Sequence, residues 1–376
     1  MIDFKNKLTI SKPDLPDFDE YVELLRDIWE QRYITNFGKY HRQLETALRT
    51  HLGCQNLSLF CNGTIALQVG LQALELSGEI ITTPFTFPAT THAIHWNHCE
   101  PVFCDIDPES FCLDPAKLEA CITPATSAIL PVHVYGHPCD VEAIQAIADA
   151  HGLKVLYDAA HAFDVKFEDG RSILDFGDIS MLSFHATKVF NTVEGGALVT
   201  GDPGLKARID SLLNFGIVDE VTVLGPGTNG KMNELSAAYG LLVLKFMEKA
   251  IALRGAVDSR YRENLKGIDG LKIPSLPAGT IHNFSYFPII VEPSFGISRD
   301  ELFARLVKQD ILARPYFYPL TSNVGDYRRL PSAAEANLPV ANAAARSVLC
   351  LPIYPTLAMS DVDRICSILS DLRPDR

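Results

Sequence analysis

The stretch "LSFHATKVFNTVEGGALVT" (182–200) places a lysine, Lys188, between an apolar segment and a glycine turn. The segment before it (179–184) contains no charged residue, which is typical of a buried strand. Most lysines lie on solvated helix faces, whereas this one is followed by Phe190 and by the Glu-Gly-Gly turn at 194–196. We therefore predict that Lys188 lies at the end of a buried strand, where desolvation can make its amine nucleophilic.

Strand-like and helical segments alternate on both sides of this stretch. The strand-like segments lack polar alternation, which is typical of strands with both faces buried. Their alternation with helices predicts an α/β fold with a mostly parallel sheet covered on both faces. The strand candidates are 56–60, 79–85, 101–106, 127–134, 154–160 and 179–184, and helices are predicted between them, for example over 63–76 and 140–152.

The pattern changes near residue 230, where a long helical segment (232–265) follows, with a break expected near Gly255. We predict an N-terminal arm and large domain over 1–248 and a smaller α/β domain over 249–376. The later elements are predicted as a strand over 283–291 and helices over 299–309 and 360–372.

Charge and composition exclude several classes of partner. The formal net charge is -13 and the sequence pI is about 5.3, so we expect neither a nucleic-acid partner nor an anionic membrane surface. No apolar run reaches the roughly 18 residues of a membrane span. The nine cysteines include no C-x-x-C pair, and the sequence starts without an apolar signal core. We therefore predict free thiols, a cytoplasmic protein and no metal site.

Two further groups have chemistry that suits a reactive lysine. Asp158 ends an apolar strand, and strand ends face the ligand crevice of an α/β fold. A buried carboxylate needs a cationic partner, although Asp158 could instead cap the next turn. Asn62-Gly63-Thr64 opens a helix, whose free N–H groups suit a phosphate together with the Ser183 hydroxyl. A plain N-cap would also explain that tripeptide.

Two weaker signals come from an aromatic residue and a glycine-rich loop. Phe87 follows a strand, where its ring can stack on a cofactor, and core packing would explain it equally well. The loop places Asn229 and Lys231 before a helix, where ordinary turn chemistry is the alternative to phosphate binding.

The overlapping GPGTNG (225–230) matches a dinucleotide fingerprint and follows the strand-like VTVL (221–224). Several strands precede it and a helix follows, so we reject a dehydrogenase.

Taken in order, these motifs resemble the nucleotide-sugar aminotransferases of the DegT/DnrJ/StrS type. The resemblance runs from TNFGKYHRQLE (35–45) to LPIYPTLAMSDVDRI (351–365). It implies the fold-type I architecture of pyridoxal-phosphate (PLP) enzymes, with a mostly parallel seven-stranded sheet, a small C-terminal domain and a homodimer with shared active sites. The motifs are NGTIAL (62–67), TPFTFPATTHAI (83–94), PVFCDID (101–107), PVHVYGHPCD (131–140), DAAHAF (158–163), SFHATK (183–188), EGGALVT (194–200) and GTNGKMNE (227–234).

The resemblance implies roles for residues around the cofactor ring. Lys188 is the lysine that holds pyridoxal 5'-phosphate covalently and then moves protons. Asp158 pairs with the pyridine nitrogen, His161 matches a position near the 3-oxygen, and Phe87 matches the ring-stacking position. Relatives that dehydrate the sugar carry histidine in place of the lysine, so Lys188 favours transamination.

It also implies a phosphate site that is shared between two subunits. Gly63, Thr64 and Ser183 match the residues that hold the phosphate. Asn229 matches an asparagine that reaches the phosphate of the partner subunit's cofactor. Lys231 stands where arginine is more usual, so one positive charge remains but the bidentate geometry is lost.

The implied reaction moves nitrogen from L-glutamate to a nucleotide-linked keto sugar. HATK followed by VEGG resembles the enzymes that act at C4. We therefore expect a dTDP-4-keto-6-deoxyhexose as substrate and a 4-amino-4,6-dideoxy sugar for a surface polysaccharide as product. Amination at C3, a GDP- or UDP-linked sugar, and a non-catalytic binding protein on the same scaffold are the alternatives. Candidates for substrate contacts are the loop 33–40, Arg314, Tyr316 and Tyr318, while Glu194 lies near the pocket without an assigned role.

Overall fold

The computed structural model describes residues 7–372, and in them short strands alternate with helices as the sequence predicts. The strands are β1 Leu8–Thr9, β2 Asn56–Phe60, β3 Glu79–Thr82, β4 Glu100–Phe103, β5 Thr126–Leu130, β6 Lys154–Asp158, β7 Lys166–Phe167, β8 Ile179–Ser183, β9 Gly196–Thr200, β10 Leu271–Lys272, β11 Thr280–Ile281, β12 Phe287–Val291, β13 Ile311–Leu312 and β14 Val348–Leu351. The α-helices are α1 Phe18–Gln31, α2 Lys39–Leu52, α3 Gly63–Ala73, α4 Pro88–Trp96, α5 Pro115–Leu118, α6 Val141–His151, α7 Pro203–Leu212, α8 Glu234–Leu244, α9 Met247–Asn264, α10 Arg299–Lys308, α11 Pro339–Ser347 and α12 Met359–Asp371.

The central sheet of the described chain has seven strands in the order β2-β9-β8-β6-β5-β3-β4. Six of them run parallel, and β9 is antiparallel to both of its neighbours, β2 and β8. This confirms the predicted mostly parallel seven-stranded sheet. Because parallel strands end on the same side, the residues that follow β2, β3, β6 and β8 meet along one edge of the sheet.

Helices cover both faces of this sheet, which explains why its strands lack polar alternation. In β9, Leu198 packs into a core with α3 and α7, whereas its neighbours Ala197 and Val199 pack into a core with α2 and α8. Burying one such leucine contributes about 1.5–3 kcal/mol, so alternate residues of the strand stabilise opposite layers.

The long helical segment breaks at a different place from the predicted one. Helix α8 ends at Leu244 and α9 begins at Met247, while Gly255 lies inside α9. The prediction of a break near Gly255 was therefore wrong. A Cβ at Gly255 would lie 2.9 Å from the Phe284 ring, so this glycine allows close packing of the helix.

The C-terminal part forms a second α/β layer, in which β10, β12 and β14 make an antiparallel sheet. Helices α9, α10 and α12 contribute to its core. Two pairings cross the predicted division at 248/249: β1 pairs with β13, and β11 pairs with β7. The division itself stays a prediction. Helices α5, α7 and α11, strands β9 and β14 and the two-residue strands were not predicted.

The segment 214–229 forms a loop closed by bridges, not a strand followed by a nucleotide-binding turn. Asn214 pairs with Asn229 and Ile217 pairs with Val223 in isolated bridges. The strand-like VTVL therefore belongs to no sheet. Between residues 7 and 372, the chain contains no helix with the length and apolar character that crossing a membrane requires.

Candidate active site

A cavity of about 230 Å³ opens at the edge where the parallel strands end. The structure brings seven of the eight predicted site residues to its wall, and leaves Asn229 outside it. These seven are Gly63, Thr64, Phe87, Asp158, His161, Ser183 and Lys188.

Lys188 follows β8 in a tight turn, in which its backbone N–H donates to the His185 carbonyl (2.8 Å). Its side chain is half-buried, and among residues 7–372 its Nζ makes no hydrogen bond or ion pair. Burial lowers the pKa of this amine to about 8, against the opposing effect of the Asp158 charge. The neutral, nucleophilic form of Lys188 is thus accessible near neutral pH.

Asp158 ends β6 with its carboxylate buried (4% exposed). One oxygen accepts a hydrogen bond from the Thr90 hydroxyl (2.8 Å), and the other accepts one from the Ala160 backbone N–H (3.0 Å). Burial raises the pKa of this carboxyl, opposed by these two bonds and by the charge of Lys188. Within the described chain no cation lies at ion-pair distance from it. A buried carboxylate without a paired cation is suited to a cationic ligand.

The start of α3 provides a site for an anion. The Asn62 side chain caps the helix by accepting from the Ile65 N–H (2.8 Å), so the plain N-cap interpretation holds. The Gly63 and Thr64 N–H groups, at the start of the first turn, have no acceptor within the described chain, and both residues line the cavity together with Ser183. A Cβ at Gly63 would lie 3.1 Å from the Ser183 Cβ, so a glycine here lets the helix start approach that hydroxyl.

His161 forms part of the cavity wall as a neutral imidazole. Its Nδ1 accepts from the Tyr135 N–H (3.3 Å), and its ring stacks on Phe317 with centroids 5.7 Å apart. Burial lowers the pKa of His161 well below its usual value. Because Nδ1 accepts, the proton of the neutral ring is on Nε2, which is then a donor.

The mouth of the cavity combines aromatic and charged side chains. Phe87 is 58% exposed there, and Glu194 lies 3.6 Å from the Nε2 of His185. Sequence reasoning proposed Tyr316 but missed its neighbours Tyr286 and Phe317, which also line the cavity. Tyr286 lies in the predicted strand 283–291, and Phe317 lies between the candidates Tyr316 and Tyr318. Arg314 and Tyr318 are exposed and do not line this cavity.

Asn229 is exposed on the 214–229 loop. Next to it, the Lys231 ammonium donates to the Asn214 side-chain oxygen (2.7 Å) and lies 4.6 Å from the centre of the Phe215 ring. In its own chain, this loop therefore presents Asn229 to the outside.

A larger cavity, about 560 Å³, lies between α2 and α7 beside His41. Its lysine, Lys206, is paired with Asp210 at 2.6 Å. The side chain of Lys206 is therefore engaged by a carboxylate, whereas that of Lys188 has no such partner within the described chain. The unpaired Lys188 therefore makes the smaller cavity the candidate active site.

Comparison with known proteins gives the family. The DegT/DnrJ/EryC1/StrS aminotransferase family matches residues 17–370. This chain belongs to that family. It is 49% identical over 362 residues to a dTDP-4-amino-4,6-dideoxy-D-glucose transaminase of Escherichia coli, covering 96% of this chain and 98% of the relative.

Solved structures share the whole fold of this family member. The crystal structure of DesI in the presence of its TDP-sugar product superposes with a TM-score of 0.93 at 35% identity, covering 97% of this chain and 93% of DesI. NtdA from Bacillus subtilis, with bound cofactor PMP, gives a TM-score of 0.84 at 29% identity, covering 98% of this chain and 89% of NtdA. The family and these neighbours are PLP-dependent, so this chain is a PLP-dependent aminotransferase.

The cavity fits that cofactor on its own chemistry. The unpaired amine of Lys188 suits an aldehyde, and the buried carboxylate of Asp158 suits a protonated ring nitrogen. The first turn of α3 with Ser183 suits a phosphate. These three complementary groups meet in one cavity.

Proposed function

We propose that this aminotransferase moves an amino group from L-glutamate to C4 of a dTDP-4-keto-6-deoxyhexose, giving dTDP-4-amino-4,6-dideoxy-D-glucose. The observation that carries the chemistry is the unpaired Lys188 amine opposite the buried Asp158 carboxylate. The name of the 49% identical relative supports the sugar and its gluco configuration. Transamination at C4 is also what HATK and VEGG favour, and nothing in the cavity favours the C3, GDP- or UDP-linked alternatives.

The bound cofactor supplies an electron sink, and the residues of the chain supply binding and proton transfer. Lys188 would hold the cofactor, and its free Nζ would take and return the proton at the carbon that loses or gains nitrogen. Asp158 holds the proton on the ring nitrogen. The Nε2–H of His161 is a donor for the ring oxygen, and Phe87 offers an aromatic face to the ring.

The phosphate site extends the proposal to a homodimer. Gly63, Thr64 and Ser183 hold the phosphate from one subunit, and Asn229 of the other subunit completes the site. Two features support this arrangement: Asn229 is exposed outside its own cavity, and its loop exposes apolar side chains such as Val221 (94%) and Leu224 (73%).

The size of the cavity also favours a shared site. Pockets that enclose drug-sized ligands measure about 300–1,000 Å³, so 230 Å³ in one chain is small for a cofactor together with a nucleotide sugar.

We further propose that the enzyme acts in the cytoplasm, since its cysteines are all free, as in a reducing compartment.

The test is a spectrum followed by a product analysis. The purified protein, loaded with pyridoxal phosphate, is expected to show a cofactor absorbance band that disappears with L-glutamate. Addition of dTDP-4-keto-6-deoxyglucose should restore the band and yield a 4-amino sugar, identified by mass spectrometry and by NMR coupling constants at C4. Lys188→Ala is the control that should retain the fold but lose turnover.

The outcomes separate the alternatives. An amine at C3, or turnover only with GDP- or UDP-linked sugars, would contradict the substrate but keep the reaction class. A protein that stays colourless with added pyridoxal phosphate would contradict the enzyme itself and favour a binding protein on this scaffold.

A further inference from the structure

Three buried side chains form a continuous row of hydrogen bonds that ends at the carboxylate of the active site. The Thr86 and Thr90 hydroxyl oxygens lie 2.8 Å apart, and Thr90 lies 2.8 Å from one oxygen of Asp158. The exposed fractions of the three residues are 2%, 0% and 4%. Nothing in the family roles inferred from the sequence uses either threonine.

The local sequence explains how the two hydroxyls come to meet. Pro88 begins α4, and the Thr90 N–H donates to the Phe87 carbonyl (3.2 Å) in the turn before it. Thr86 lies two residues before α4 and Thr90 lies in its first turn, so the turn that begins the helix brings their hydroxyls together. Thr86 also lines the cavity, as does Asp158 at the other end of the row.

The direction of each bond follows from the donor inventory. An ionised carboxylate only accepts, so the single hydroxyl proton of Thr90 is donated to Asp158. Thr90 then has only acceptor capacity left for the second bond. The Thr86 hydroxyl must therefore donate to Thr90, and the row is polarised toward Asp158 from end to end.

This row and the Ala160 N–H fix the orientation of the Asp158 carboxylate. Each oxygen accepts one bond from the protein, at 2.8 Å from Thr90 and 3.0 Å from Ala160. A carboxylate has about four lone-pair positions, so accepting capacity remains for a ligand in the cavity that Asp158 lines. Both bonds also favour the ionised form, which burial disfavours.

Within the described chain, no other titratable group near Asp158 donates a hydrogen bond to its carboxylate. Lys188, from the turn after β8, is the cation whose charge acts on Asp158, and it is the group that the cofactor engages. His161, three residues after Asp158, and His133, after β5, are both held neutral by burial, which lowers their pKa values. Helix α4 contributes Thr90.

We propose that Thr90, ordered by Thr86, is the positioning residue that orients the Asp158 carboxylate and keeps it ionised for the protonated ring nitrogen of the bound cofactor. This inference rests on the proposed function and adds two residues to its machinery. Thr90 acts through Asp158, so its effect should appear as a shift in the pH dependence of cofactor binding.

The test measures the affinity of the apoprotein for pyridoxal phosphate as a function of pH. Affinity should fall on the acid side as Asp158 becomes protonated. In Thr90→Val, which keeps the volume but removes the hydroxyl, we expect the acid midpoint to move up by about one pH unit. We expect kcat to fall roughly 10-fold. Thr90→Ser keeps the donor and should restore the wild-type midpoint, and Thr86→Val should shift it in the same direction by less.

A matched control lies one residue away. Thr91 is equally buried, and its hydroxyl donates to Thr321 (3.0 Å) instead of to Asp158. Thr91→Val should lower stability without moving the midpoint, which separates positioning from loss of a buried hydrogen bond.

Equal midpoints in Thr90→Val and the wild type, or equal shifts in Thr90→Val and Thr91→Val, would overturn this inference alone. A wild-type protein that does not bind pyridoxal phosphate would overturn the proposed function and this inference with it.

Discussion

Two buried carboxylates have no cationic partner at ion-pair distance among residues 7–372, yet their surroundings differ. Glu234 is 2% exposed at the start of α8, and its two oxygens accept the N–H groups of Tyr40 (2.8 Å) and His41 (3.0 Å) in the first turn of α2. Asp158 is 4% exposed and accepts one N–H and one hydroxyl proton. The first carboxylate is enclosed by protein, whereas the second lines a cavity.

The two environments distinguish a carboxylate that the fold satisfies from one that stays open to a ligand. Glu234 lies between the positive ends of two helices, so backbone dipoles replace a cation and its requirements are met inside the chain. Its own N–H also donates to the Ile34 carbonyl (3.0 Å), which ties the loop before α2 to α8. Asp158 keeps accepting capacity on the cavity side, where a ligand can satisfy it.

The largest expected effect is on catalysis at the open carboxylate. In Asp158→Asn, the amide cannot hold a proton on the ring nitrogen, so we expect kcat to fall by about 10³-fold or more. The free energy of unfolding of the apoprotein should stay equal or rise, because a buried charge is replaced by a neutral group. Steady-state kinetics and urea unfolding measure the two quantities. A near-normal kcat would mean that another group protonates the ring.

The enclosed carboxylate should show the opposite pattern. Glu234→Ala leaves two buried N–H groups without an acceptor, so we expect a loss of about 2–4 kcal/mol in the free energy of unfolding. Glu301→Ala, which removes an exposed pair with Arg305, is the control and should cost less than about 0.5 kcal/mol. If Glu234→Ala kept its stability and lost only cofactor binding, the distinction drawn between the two carboxylates would be wrong.

The smallest effect concerns the charge that Asp158 exerts on Lys188. The amine attacks only when neutral, so covalent loading of the apoprotein should speed up with pH and level off above about 8. An unperturbed lysine would continue to respond up to about 10.4. The Asp158 charge stabilises the ammonium and so raises the pKa of Lys188. Asp158→Asn should therefore move the loading midpoint below 8.

Glu234→Gln is the matched carboxylate-to-amide control for that experiment. Glu234 is not among the groups that act on the Lys188 amine, so the loading midpoint of the Glu234→Gln variant should remain at about 8. Stopped-flow absorbance at saturating pyridoxal phosphate gives the rates. Equal shifts in both variants would show that the effect is general rather than local.

Strand ends around the cavity follow from local apolar patterns, whereas the helix break before α9 depends on packing. The strand ends at Asp158 and Ser183 were predictable because apolar runs without polar alternation mark strands buried on both faces. The break between α8 and α9 was misplaced because glycine usually weakens a helix, whereas Gly255 is tolerated for its contact with Phe284. Local helix propensity is a weak signal at positions where contacts with distant parts of the chain determine which residue is tolerated.

Within the site, residues in motifs were predictable and residues that act through distant contacts were not. Thr90 lies inside a quoted motif, but its bond to Asp158 joins positions 68 residues apart. Tyr286 and Phe317 come from the C-terminal part of the chain, and only folding brings them to the cavity. A single sequence has no signal for such pairs.

The sequence by itself determined that strands alternate with helices, that Asp158 and Lys188 lie at or just after the ends of apolar strands, and that a helix starts at Gly63, because each leaves a local pattern in neighbouring residues. Only the tertiary structure decided which charges are enclosed and which are open, as at Glu234 and Asp158. That depends on where the N–H groups of another helix, or the wall of a cavity, come to lie. The same carboxylate chemistry is therefore satisfied by the fold at one position and stays open to a ligand at the other.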